Sequence, residues 1–165
     1  MSSEGARTIR YYWEDMQPGS ERDLGSISPT REEIIAFATQ FDPQPFHLDD
    51  EAAKASVFGG LCASGWHTCS MAMRLMVTNF LQDAASLGSP GLENLQWKKP
   101  VLPNDTLHLK HKIIDSRPMR SKPDVGLVRT EWHMHNQHGD LVLFMEGWSM
   151  FRRRHPAQEA AAASD

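Results

Sequence analysis

Ser64-Gly65-Trp66-His67-Thr68-Cys69-Ser70-Met71-Ala72-Met73-Arg74-Leu75-Met76-Val77-Thr78-Asn79-Phe80-Leu81 carries one charge, Arg74. A helix that is apolar on nearly all sides is a buried one. His67, Arg74 and Asn79 make the run too polar to span a bilayer, so it is expected to form a central core helix. Ser64 reads as its N-cap, which makes Gly65 the first helical residue, with an N–H that has no intrahelical partner. Glycine has no side chain to block approach, and the helix dipole adds to any stabilisation of negative charge there. The plainer reading is that Gly65 permits a tight turn into the helix.

Upstream lies Asp42-Pro43-Gln44-Pro45-Phe46-His47. Its prolines each fix φ, lack an N–H and push the preceding residue into an extended conformation, so no regular helix crosses the segment. It is a stiff loop. If the loop curves, a carboxylate and an imidazole converge on one water or substrate proton, as general acid–base catalysis requires near neutral pH. Turn chemistry explains the same residues differently. Asp-Pro commonly opens a turn after a helix, and His47 then leads, exposed, into the next helix.

The continuous stretch from Asp42 through His47, Leu48-Asp49-Asp50-Glu51-Ala52-Ala53-Lys54 and Phe58-Gly59-Gly60-Leu61-Cys62-Ala63-Ser64-Gly65 resembles the MaoC-like dehydratases, the family of the (R)-specific enoyl-CoA hydratases. Their pattern is close to Asp-x-Asn-Pro-x-His. The resemblance implies an α+β hot-dog fold, a long central helix wrapped by an antiparallel sheet. It also implies a catalytic pair at Asp42 and His47, with Gly65 supplying the oxyanion N–H. Three departures stand out: Gln44 replaces the usual Asn, Gln40-Phe41 replace a small residue and Gly, and Ser64 stands where hydratases often place a histidine. Phe41, Gln44, Phe46, Ser64 and Trp66 are the expected substrate-binding residues. Trp66 reads as a wall of the acyl pocket or a contact for a dimer partner.

The reaction so implied is addition of water to a trans-2-enoyl-CoA to give an (R)-3-hydroxyacyl-CoA, or its reverse, with no metal or redox cofactor. CoA belongs to the substrate. A homodimer that closes the acyl tunnel is expected, because one hot dog leaves its helix and sheet incompletely covered. A hot-dog thioesterase and a non-catalytic acyl-CoA binding protein are the alternatives, since fold does not fix function.

With 165 residues and 40% hydrophobic content the chain has the size and core of one domain, residues 1–155, followed by a disordered tail over 156–165. A net charge of −4, with no basic run longer than Arg152-Arg153-Arg154, gives no electrostatic case for nucleic acid. Met1 to Arg7 lacks the apolar core of a signal peptide and no segment suits a membrane span, so a cytoplasmic protein is expected. Cys62 and Cys69 read as packing residues rather than a disulfide.

Tyr11 to Ile27 suggests a short strand or extended arm. Thr30-Arg31-Glu32-Glu33 matches a capping box, followed by a helix to about Thr39 with Ile34, Ile35, Phe37, Ala38 and Phe41 on its apolar side. Asp49 or Asp50 caps a shorter helix over Glu51 to Ala55. Leu92 to Lys99, Thr106 to Ser116, Val125 to Asn136 and Leu141 to Arg152 read as strands separated by turn-rich segments. Helices first and antiparallel strands afterwards indicate α+β.

His133 and His135 share a strand face, but His138-Gly139-Asp140 reads as a hairpin turn and no cysteine or carboxylate stands at ligand spacing, which argues against a metal site. His108 and His111 fall on opposite faces. Met71, Met73 and Met76 are expected as core filling. Lys98, Lys99, Arg117, Arg120 and Lys122 are candidates by charge for the CoA phosphates.

Overall fold

Thr30 and Glu33 close the expected capping box. The Glu33 N–H donates to Thr30 Oγ1 at 3.1 Å, and the Thr30 N–H donates to the Glu33 carboxylate at 2.8 Å. This fixes the start of α1, Arg31–Phe41, in the computed structural model, which describes residues 7–156. The helix runs slightly beyond Thr39 and ends at Asp42, whose N–H bonds the Ala38 carbonyl. Ile34 and Ala38 are buried as expected. Phe41 is not: it is 64% exposed, with its ring tilted against that of Phe37. It follows Phe37 by one turn, at a helix end that has passed the edge of the core.

The strand expected somewhere before Ile27 is β1, Glu21–Ile27; Trp13–Asp15 form a 3-10 turn instead. Asp49 caps α2, Asp50–Lys54, by accepting from the Ala52 N–H. The long helix is α3, Gly65–Asn79. The remaining strands are β2, Gly91–Trp97, β3, Leu107–Pro118, β4, Val125–His135, and β5, Leu141–Arg152. They follow the expected spans closely, because turn residues bound each one. All pair antiparallel in a single five-stranded sheet of order β1-β3-β4-β5-β2. Of the tail expected over 156–165, residues 157–165 lie outside the described residues.

The alternation of β3 and β4 turns Leu107, Leu109, His111 and Ile113, with Val128, Thr130, Trp132 and Met134, toward one side. The buried side of α3, with Met71, Ala72, Leu75 and Met76, joins these residues in the core. Phe80 closes the far end among Tyr11, His111 and Phe151.

Wrapping of α3 is incomplete. Trp66, Met73 and Val77 are exposed along one side, so Met73 is not the core residue the sequence suggests. Leu92 and Trp97 of edge strand β2 are exposed as well. A mostly apolar sequence therefore conceals an open helix face within the single chain.

Phe80 and Phe41 give a contrast that checks this packing. Phe80→Ala is expected to cost about 3–5 kcal/mol, and the exposed Phe41→Ala less than about 1 kcal/mol, by denaturant unfolding. Equal losses would contradict the placement of the two rings.

Candidate active site

The two prolines turn the chain sharply after α1. The Gln44 N–H bonds the Asp42 carbonyl, and Pro45 opens a 3-10 turn, Pro45–His47, in which the His47 N–H bonds the Gln44 carbonyl. The stiff loop thus curves, and the result is convergence. His47 Nε2 lies 3.4 Å from Asp42 Oδ2.

Each member of the pair is held from a different direction. Ser64 Oγ donates to Asp42 Oδ2 at 2.7 Å, and Gln44 Nε2 donates to Oδ1 at 2.7 Å. Gln44 therefore supplies a polar contact to the carboxylate despite replacing the family Asn. On the imidazole, Nδ1 lies 2.7 Å from the Cys62 carbonyl. A carbonyl only accepts, so Nδ1 carries a hydrogen and Nε2 is the nitrogen free for chemistry.

Burial opposes ionisation of Asp42. The bonds from Ser64 and Gln44, with the nearby His47, outweigh it and hold the carboxyl below its usual range. Asp42 is thus a carboxylate at neutral pH. Burial pushes the Cys62 thiol up to about 11, which leaves it a protonated packing residue, and neither cysteine is in a disulfide.

Ser64 also caps α3 by accepting the Trp66 N–H at 3.3 Å. This one buried hydroxyl joins the helix start to the Asp42 loop. Gly65 follows as the first helical residue, with an N–H lacking an intrahelical partner. Trp97 Nε1 donates to the Gly65 carbonyl at 2.9 Å, and a Cβ at Gly65 would fall 2.5 Å from the indole. Glycine is required here by close approach.

A cavity of about 310 Å³ opens beside these groups, lined in part by Gln44, Phe46, His47, Phe58, Gly65 and Trp97. Lys98 and Lys99 border it, whereas Arg117 and Arg120 border a separate groove. Of the expected substrate-binding residues, Phe46 and Gln44 reach this cavity. Phe41 does not, and Ser64 is fully buried and acts on Asp42 instead. Trp66 lines a second cavity and packs edge-on against Trp97, with ring centroids 5.2 Å apart. Trp97, Phe58 and the Cys62 carbonyl were not among the expected site residues; they become neighbours only when β2 and the segment before α3 close over the loop.

A helix laid on an antiparallel sheet, with a carboxylate–imidazole pair beside the helix start, defines a hot-dog fold. The family described as MaoC like domain matches residues 15–133, and the chain belongs to it. The MaoC-like dehydratase of Rhodospirillum rubrum is similar over 88% of this chain and 99% of its own, at 39% identity and a TM-score of 0.82. YdeM of Bacillus subtilis is 28% identical over 112 residues, 68% of this chain and 78% of YdeM. The (R)-hydratase PhaJ1 of Pseudomonas aeruginosa shares the fold at a TM-score of 0.71 and 19% identity, over 96% of this chain and 98% of PhaJ1.

Asp42 titration tests the electrostatics of the site. Because its folded value is depressed, Asp42 adds stability above the unfolded value, and that stability is lost as pH falls through the folded one. Gln44→Leu is expected to raise the Asp42 midpoint seen by carboxyl NMR. Its stability deficit should be present at neutral pH and shrink in acid. An unmoved midpoint would show that Gln44 does not hold the carboxylate.

Proposed function

We propose that the protein hydrates a trans-2-enoyl-CoA to an (R)-3-hydroxyacyl-CoA and catalyses the reverse dehydration. The observation that carries this reading is the approach of His47 Nε2 to the ionised Asp42 across 3.4 Å, beside the free start of α3. Family membership and the (R)-hydratase fold neighbours support it.

In this scheme Asp42 and His47 bind one water. Asp42 takes a proton as hydroxide adds to C3, and His47 Nε2–H gives a proton to C2. The thioester oxygen carries the intervening negative charge against the Gly65 N–H, aided by the dipole of α3. Proton passage from Asp42 to His47 then restores the pair. The scheme uses no metal or redox cofactor.

The open face with Trp66, Met73, Val77, Leu92 and Trp97 supports a homodimer, because apolar residues spanning a helix and an edge strand gain from being covered. Analytical ultracentrifugation is expected to give a dimer, and a monomer at tens of micromolar would contradict this part. The described residues contain no helix long and apolar enough to cross a membrane. We place the protein in the cytoplasm.

Incubation with crotonyl-CoA and longer or branched enoyl-CoAs is expected to remove the conjugated-thioester absorbance without releasing thiol. Thiol release would indicate a thioesterase, and binding without either signal a carrier. Asp42→Asn and His47→Ala are each expected to lower turnover on the order of a hundredfold or more. Unchanged turnover in either would remove that residue from the mechanism.

A further inference from the structure

Behind Trp66 a second cavity, of about 400 Å³, runs between α3 and the sheet. Its walls include Met73 and Met76 of the helix and Leu95, Trp132, Met145 and Phe151 of the sheet side. Trp66 and Trp97 stand between it and the cavity beside His47, since each lines one of the two and their rings touch. Its size suits a small-molecule chain.

Two of the polar residues in its lining are left without partners. His111 and Thr130 are each 2% exposed, and His111 Nδ1 and Thr130 Oγ1 have no hydrogen-bond partner. They sit on adjacent strands, where His111 pairs with Trp132 and Ile113 with Thr130. That register makes them diagonal neighbours on one face of the sheet. The imidazole is clamped by Trp132, with centroids 4.3 Å apart, and by Phe80. Ser86, Ser89 and Ser149 also border the space, but among its lining residues only His111 and Thr130 have buried unpartnered polar atoms.

Buried donors and acceptors are rarely left unpaired, because desolvation without a new bond is unfavourable. Burial, then the charge of Arg22, push His111 down to about 4, so it is a neutral partner at physiological pH. No lysine or arginine lines the cavity. A buried carboxylate would therefore lack a counter-charge, whereas a hydroxyl or carbonyl would not need one.

We infer that this cavity receives an acyl chain bearing a neutral hydrogen-bonding group, a hydroxyl or carbonyl, which His111 and Thr130 recognise. The inference rests on the acyl-thioester reading above and narrows its substrate class.

Calorimetric titration of the full-length protein with saturated C4, C6 and C8 acyl-CoAs and their ω-hydroxy counterparts separates the two readings, with hydration of the matching 2-enoyl forms followed in parallel. At one chain length the hydroxylated ligand is expected to bind about tenfold or more tighter than the plain one. Thr130→Val, which keeps shape and removes the hydroxyl, should abolish most of that preference. His111→Phe, which keeps the stack, should do the same, and Thr130→Val suffices if it fails to fold. Equal binding of plain and hydroxylated chains at every length, absence of binding by both, or a preference that survives Thr130→Val would overturn the inference. Selective binding without hydration would instead defeat the hydratase reading and leave the cavity's preference standing.

Discussion

The buried hydroxyl of Ser64 is the joint on which the site depends. It accepts the Trp66 N–H to start α3 and donates to Asp42 at the end of α1. Two segments distant in sequence thereby share one polar atom, in surroundings where an unpaired polar group is costly. Because the same hydroxyl helps keep Asp42 ionised, helix capping and the charge state of Asp42 cannot vary independently. A histidine at this position, which is frequent among hydratases by resemblance, would have to fill both roles with a larger ring.

The remaining geometry follows from how the chain is stiffened around that joint. Proline constraint brings His47 back toward Asp42, and the Cys62 carbonyl fixes which imidazole nitrogen is free. Trp97, delivered by β2, lies so close to Gly65 that only glycine fits beneath it. The sheet therefore contributes to the site through one indole, and the inner faces of β3 and β4 line the second cavity. Rigid elements on both sides favour a fixed constellation over one assembled on binding.

Much of this was legible in the residues. The Thr30/Glu33 box, the Ser64 cap and the turn-bounded strands are local signals, and each reappears in the structure with small boundary shifts. Asp42 and His47 could be nominated because prolines restrict the loop that joins them. Phe41 and Met73 misled, since helical periodicity gives an apolar side without saying where the core ends or whether a neighbouring element covers it. Trp97 was invisible for a different reason: its contact with Gly65 depends on sheet order. His111 had a readable sign. In Leu107-His108-Leu109-Lys110-His111-Lys112-Ile113, strand alternation puts it on the apolar face with the leucines and isoleucine, but only the folded chain reveals that its Nδ1 lacks a partner there.

The most direct test of the account is the pH dependence of kcat/KM for enoyl-CoA hydration in the wild type and in Ser64→Ala. If Asp42 is the base and Ser64 lowers its pKa, the acid limb of the profile should move to higher pH in the variant while the folded state persists, because the carboxyl then accepts its proton more readily. An acid limb that stays in place in a folded Ser64→Ala protein would contradict the claim that this hydrogen bond sets the catalytic carboxylate.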